Sequence, residues 1–146
     1  MSETLNKFLK NKGYCSVNLI CLKTKHYLIE AKINGIDGKF ILDSGASNSC
    51  VCITKDYKFK LEIKISKISA SSATSEISQT SISKKNLVSI SKWENTIDLV
   101  SFDMSHINKT LKEKEIEFVD GIIGADVLIK SKAILDYKSN KLYLKL

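Results

Sequence analysis

The segment Phe40-Ile41-Leu42-Asp43-Ser44-Gly45-Ala46-Ser47 puts an acidic side chain where it could do chemistry. A short apolar run reads as a strand, and it delivers Asp43 directly into a Ser-Gly turn. Gly45 is expected to permit the tight bend, and Ser44 to hydrogen-bond across it. A carboxylate fixed at a strand end has the held position that acid–base work at a reacting centre requires. Asp-Ser-Gly alone is a weak signal, because it also occurs in ordinary turns. Its weight comes from context. The turn Asn34-Gly35 precedes it, and a second strand, Ser49 to Ile53, follows.

Two further segments frame Asp43. Asp120-Gly121-Ile122-Ile123-Gly124-Ala125-Asp126-Val127-Leu128 reads as a buried strand, a glycine turn and a helix start. Ala133-Ile134-Leu135-Asp136-Tyr137 is followed by Lys141-Leu142-Tyr143-Leu144, a pair of strands about a turn. The other aspartates suit structural work. Asp126 fits an N-cap, Asp136 a turn or salt bridge, and Asp37 a hairpin tip. His26 and His106 have no second ligand at metal spacing, and Ser105 is the expected cap of the helix that His106 begins. Cys50-Val51-Cys52 would set two thiols on one face of a strand. That spacing suits a metal or redox pair, or two small core hydrophobes. With no Cys-x-x-Cys or nearby His, the core reading is preferred. No Gly-x-Ser-x-Gly elbow is present, which argues against a serine hydrolase.

The elements that must hold Asp43 are mostly short strands. Ser2 to Lys12 carries Leu5, Phe8 and Leu9 at helical spacing, with Ser2 as N-cap and Gly13 as the stop. Residues 1–13 are therefore expected to form an amphipathic N-terminal helix, and 14–146 the main domain. His26 to Ile33 alternates polar and apolar before the Asn34-Gly35 turn, and Lys39 to Leu42 follows as a short strand. Lys58 to Ile65 alternates with full regularity and reads as a half-buried antiparallel strand. The Ser- and Thr-rich stretch Ser66 to Ser83 reads as a hairpin with the tip Ser69-Ala70-Ser71-Ser72-Ala73-Thr74. Strands Asn86–Ile90 and Thr96–Phe102, a helical stretch His106–Lys114 and a short helix from about Asp126 to Lys130 complete the series. The last strands are Ala133–Asp136 and Leu142–Leu146. Trp93 fits either a partly exposed anchor or a core edge. Many short strands with few helices mean an all-β or β-rich barrel.

Composition bounds the function. The 146 residues suit one domain, with 43% hydrophobic and 27% charged. No apolar run approaches the roughly 20 residues that span a bilayer, and no signal peptide is evident. A cytoplasmic location is the expectation, or a periplasmic one if a leader has been removed. The net charge is +7, yet all 23 basic residues are Lys and none is Arg. Nucleic-acid readers favour the bidentate fork of Arg, and these lysines scatter along the chain, so a solvated basic surface is expected rather than a nucleic-acid site.

In this order and spacing, Ile41-Leu42-Asp43-Ser44-Gly45-Ala46-Ser47, Ser69 to Ser75, Gly121 to Leu128 and Ile134-Leu135-Asp136 resemble a retropepsin-like aspartic peptidase of bacterial type, over about Tyr27 to Leu146. The resemblance implies an acid-protease barrel with a flap hairpin, one short helix in the C-terminal half and an extra N-terminal helix. It implies that Asp43 is the catalytic aspartate and that Ser44 and Gly45 support the active-site loop. It also implies that Ala46, Ser47, Ile123 and the flap residues Ala70, Ser71, Ser72 and Ala73 meet substrate. No metal or cofactor is implied. The chain holds one Asp-Ser-Gly, so two carboxylates require a homodimer acting on a peptide or protein. The flap of such proteins is commonly glycine-rich, and this one has no Gly between Gly45 and Gly121. That departure favours a second reading, a catalytically inactive peptide-binding or dimerisation module.

Overall fold

Glycine turns and two-residue alternation punctuate the chain into strands. A computed structural model describes residues 3–65 and 81–146. In chain order these form α1 (Leu5–Asn11), β1 (Tyr14–Asn18), β2 (Ile20–Cys21), β3 (Tyr27–Ile33), β4 (Ile36–Leu42), β5 (Cys50–Cys52), a single 3-10 turn (Ile53–Lys55), β6 (Lys64–Ile65), β7 (Ser81–Ile90), β8 (Trp93–Phe102), α2 (Ser105–Glu113), β9 (Gly121–Ile123), α3 (Ala125–Lys130), β10 (Ile134–Asp136) and β11 (Lys141–Lys145). The all-β expectation holds. The C-terminal half carries two helices, α2 and α3, rather than one.

Six strands close a barrel in the hydrogen-bonded order β3-β4-β9-β5-β8-β7, and β3 meets β7 again through Lys32↔Ser89 and Ile33↔Val88. Closure leaves none of these six as a bare edge. β2 extends the sheet beside β3, and β6 beside β7. The β3–β4 hairpin turns on Asn34 and Gly35, both left-handed at φ 52° and 82°, as a two-residue type I′ turn requires. Alternation along β3 buries Tyr27, Ile29, Ala31 and Ile33 on the barrel interior. There they meet Phe40, Val88, Ile90, Leu99 and Ile123 in one core. Trp93 belongs to this core at 4% exposure, which settles its role as packing. Cys50 and Cys52 share a second cluster with Met104, Leu111 and Val119, and both thiols are free.

A separate sheet of order β1-β11-β10 lies outside the barrel, with Tyr14↔Lys145 at one end of the β1–β11 register and Asn18↔Lys141 at the other. The β10–β11 turn is held by Asp136, whose Oδ1 accepts from the backbone N–H of Lys138 and Ser139 and whose Oδ2 accepts from the Ser139 hydroxyl. That hydroxyl and those amides hold the Asp136 carboxyl below the usual carboxylate range.

Four local expectations are corrected. Lys58 to Ile65 is not one strand. The chain turns at 56–60 instead: Phe59 N–H donates to Lys55 O, Leu61 N–H donates to Asp56 O, and Lys60 is left-handed at φ 56°. Only Lys64–Ile65 pairs, with Ser81 and Ile82. Tertiary burial decides this: Phe59 is fully buried, with its ring 5.9 Å from that of Phe40. A regular alternation can thus feed one anchor into a core without forming a strand. At α1, Ser2 lies outside the described residues and Thr4 is the cap, its hydroxyl accepting from Lys7 N–H at 3.2 Å. Gly13, at φ +87°, follows the helix as expected. At α2, Ser105 is the first helical residue and Met104 the cap, while Asp103 accepts from Ser105 N–H. Asp37 lies within β4 opposite Lys32, one step inside the turn.

Candidate active site

Asp43 leaves the barrel at the end of β4, and its position follows from how that strand ends. β4 pairs in parallel with β9 through Phe40↔Gly121, Ile41↔Ile122 and Leu42↔Ile123. The ladder continues one residue further, because Asp43 N–H donates to Ile123 O at 2.9 Å. The turn then closes by Ala46 N–H to Asp43 O at 3.1 Å and Gly45 N–H to Asp43 Oδ1 at 2.9 Å. The carboxylate is thereby aimed by its own loop while Asp43, Ser44, Gly45 and Ser47 remain exposed. Gly45 does not adopt a left-handed φ, so its role is not the one expected. Its missing Cβ would lie 3.2 Å from Asp43 Oδ1. Glycine here gives the carboxylate oxygen room to reach the amide. The Ser44 hydroxyl forms no hydrogen bond among the described residues, so the expected brace within the turn is absent.

Behind the loop is a second layer that sequence reasoning missed. Ser49 is fully buried. Its hydroxyl donates to Asp126 Oδ1 at 2.6 Å and accepts from Gly124 N–H at 2.8 Å, while its N–H donates to Asp126 Oδ2 at 2.9 Å. Ala125 N–H donates to Ala46 O at 2.7 Å. Asp126 therefore is not the N-cap of α3; Gly124 is, and Asp126 in the first turn ties α3 to the end of the Asp43 loop. Gly124 has a steric reason to be glycine: a Cβ would stand 2.5 Å from Ala46 O. Gly121 has a stronger one, since a Cβ there would lie 2.0 Å from Cys50 O, where β9 crosses β5. Asp120 fixes the start of β9. It accepts from Lys39 N–H at 2.9 Å and from Lys58 Nζ at 3.1 Å, and its carbonyl takes Cys52 N–H. No local pattern joins Ser49 to Asp126 or Lys58 to Asp120. Each pair is separated by 77 and 62 residues respectively, so only the fold brings them together.

The other expected site residues fall as follows. Ala46 is half-buried and Ser47 exposed in the Asp43 loop. Ile123 is fully buried beneath the loop, and its carbonyl accepts from Asp43 N–H. Ala70, Ser71, Ser72 and Ala73 lie outside the described residues. Beside Asp43 and Ser44 opens a pocket of about 390 Å³, walled by Tyr27, Leu42, Leu128, Leu135, Tyr137 and Leu142. The Tyr27 and Tyr137 rings stand 5.2 Å apart on its wall. Lys25 and His26 also line it, so Asp43 faces a mixed surface to which the outer sheet contributes. His26 is exposed, its Nδ1 2.8 Å from Thr24 Oγ1. Burial pushes the Cys50 thiol, beneath the loop, up to about 12, against a smaller lowering by the Ile122 backbone, so it is no nucleophile at neutral pH.

No protein-family model and no curated protein matches the chain in sequence. Solved structures do resemble it. A retropepsin-like aspartic protease from Rickettsia conorii superposes with a TM-score of 0.62 at 18% identity, over 90% of this chain and 91% of that one. The retroviral protease-like domain of Ddi1 from Leishmania major gives 0.55 at 17%, over 80% and 86%. The EIAV protease, in complex with the inhibitor HBY-793, gives 0.58 at 15%, over 78% and 95%. With the closed barrel, the strand-end aspartate and the glycine-braced loop already in place, these likenesses establish that the chain has the retropepsin-like aspartic protease fold.

Proposed function

We propose that the chain is an aspartic endopeptidase that works as a two-fold dimer, with Asp43 and its symmetry mate sharing one proton. The observation that carries this reading is the single strand-end Asp43, exposed and aimed by the Gly45 amide, in a chain with no second Asp-Ser-Gly. One carboxylate cannot both accept a proton from water and donate one to a carbonyl oxygen. Two carboxylates about 3 Å apart can, because like charges so close do not both ionise and the pair titrates as a unit. The ionised member takes a proton from a bound water as that water attacks the peptide carbonyl carbon. The protonated member gives its proton to the carbonyl oxygen, and the tetrahedral intermediate collapses with proton return to the leaving amine. Ser44, whose hydroxyl is exposed and unengaged within its own turn, is available to bond the partner loop. In this reading the backbone of Ala46 and Ser47, beside the carboxylate in the same loop, would meet an extended substrate.

Asp43→Asn tests this. The variant is expected to keep the far-ultraviolet spectrum and solution mass of the parent while losing cleavage of a peptide library at acid pH by at least about 10³-fold. Equal turnover by the variant would exclude the mechanism.

A further inference from the structure

We infer that the surface around α1 docks on an anionic lipid bilayer, with the chain resting on the headgroups rather than crossing them. This goes beyond the peptidase reading and does not depend on whether Asp43 is catalytic.

The lysines scatter along the sequence, but the fold gathers some of them. Leu146 N–H donates to Gly13 O at 2.9 Å and Lys145 Nζ donates to Lys12 O, which joins the end of α1 to the end of β11. The Tyr14 hydroxyl donates to Lys132 O at 3.1 Å and brings in the loop after α3. The Lys145 ammonium lies 5.6 Å from the Tyr14 ring centroid, and the Lys12 ammonium 5.6 Å from that of Phe8. Lys7, Lys10, Lys12, Lys132 and Lys145 thus share one region, and Glu3 is the one acidic residue in the segments that form it, 3–14, 131–132 and 144–146. Taking these five from the 23 lysines and Glu3 from the 16 acidic residues leaves 18 against 15, so more than half of the net +7 sits here. None of the five pairs with a carboxylate among the described residues. Apolar side chains lie inside this field. Leu9 is buried and anchors α1, yet it belongs to neither core cluster. Leu5 and Phe8, three residues apart and so on one flank of the helix, stay 47% and 44% exposed. Lys12, four residues after Phe8, is on the same flank. An exposed Leu–Phe pair ringed by lysines matches the boundary between acyl chains and anionic headgroups: the rings and methyls enter, while lysine stems lie along the surface and hold their ammonium groups at phosphates. A nucleic acid or an acidic peptide would use the lysines and leave Leu5 and Phe8 in water. A seven-residue helix alone would bind lipid weakly; here the folded body presents it ready-formed and adds the charge of Lys132 and Lys145.

The test is co-sedimentation of the full chain with vesicles of phosphatidylcholine containing about 30% phosphatidylglycerol, against vesicles of phosphatidylcholine alone. The parent is expected to bind the anionic vesicles and not the neutral ones, and to be released as salt rises well above about 0.15 M. A lysine at an anionic surface is worth about fivefold, so the triple variant Lys7→Gln, Lys10→Gln, Lys12→Gln should weaken partitioning at least about 30-fold. The same change at Lys109, Lys112 and Lys114, exposed on and just after α2, should leave it within about threefold of the parent in the same assay. Insertion is read separately in Phe8→Trp. Its added indole should be quenched by brominated acyl chains in the anionic vesicles, while Trp93, 4% exposed in the core, leaves the parent unquenched. The parent experiments and the quenching do not rely on the triple variant keeping its fold. Equal binding to both kinds of vesicle, no binding to either, partitioning indifferent to the α1 lysines, or an unquenched Phe8→Trp overturns the inference. So does tighter binding to a single-stranded oligonucleotide than to the anionic vesicles at the same salt, which would assign the lysines to nucleic acid.

Discussion

Asp126→Ala should loosen the Asp43 loop from α3, and its cost can be worked from the contacts. The carboxylate takes two donors from Ser49, the hydroxyl at 2.6 Å and the backbone N–H at 2.9 Å. Ser49 is fully buried, so both donors lose their acceptor away from bulk water. Each such group costs about 1–3 kcal/mol. Asp126 itself is half-buried, and water can enter the space left by its carboxylate, which argues for the lower part of the sum. A destabilisation of about 2–4 kcal/mol is expected. For a chain of this size that is a drop in Tm of roughly 6–12 °C. Asp126→Asn retains one acceptor oxygen and should cost about half as much. Urea denaturation followed by circular dichroism measures both, and amide exchange at Ser49 and Gly124 localises the loss. If Asp126→Ala stays within about 0.5 kcal/mol of the parent, with those amides still protected, the tie is not what holds the loop and the argument fails.

Three other outcomes follow from the same geometry. Gly121→Ala drives a Cβ to 2.0 Å from a backbone oxygen, which no side-chain movement relieves, so β9 cannot seat and the protein should be recovered unfolded or with its Tm lowered by more than 10 °C. Phe59→Ala removes a fully buried ring stacked near Phe40, and urea denaturation should show a loss of about 3–5 kcal/mol. At pH 8, alkylation and peptide mapping should mark exposed Cys21 readily and leave Cys50 unreacted until the chain is unfolded. The sign of the linked effect follows. The folded Cys50 thiol keeps its proton up to about pH 12 while the unfolded one loses it near 9. The folded state therefore loses stability as pH rises between these values, and a Cys50→Ala variant should show less of that loss.

The comparison of sequence with structure separates two kinds of information. The β3–β4 hairpin, the strand that ends at Asp43, the glycine stop after α1 and the burial of Cys50 and Cys52 were all legible, because each depends on local backbone freedom or on alternation within a few residues. The 58–65 segment was misread for the same reason. Alternation states which residues want burial, and Phe59 obtained it from a turn rather than a strand.

By itself the sequence determined that a carboxylate stands at a strand end in a β-rich chain, in a single Asp-Ser-Gly. The tertiary structure alone decided what holds that carboxylate. β4 runs parallel to β9, a strand about 80 residues later, and α3 is tied to the loop through Ser49 and Asp126. These partners meet because closure of the barrel brings distant backbone segments within hydrogen-bond reach. Side-chain pairing at such separations leaves no periodic trace along the chain.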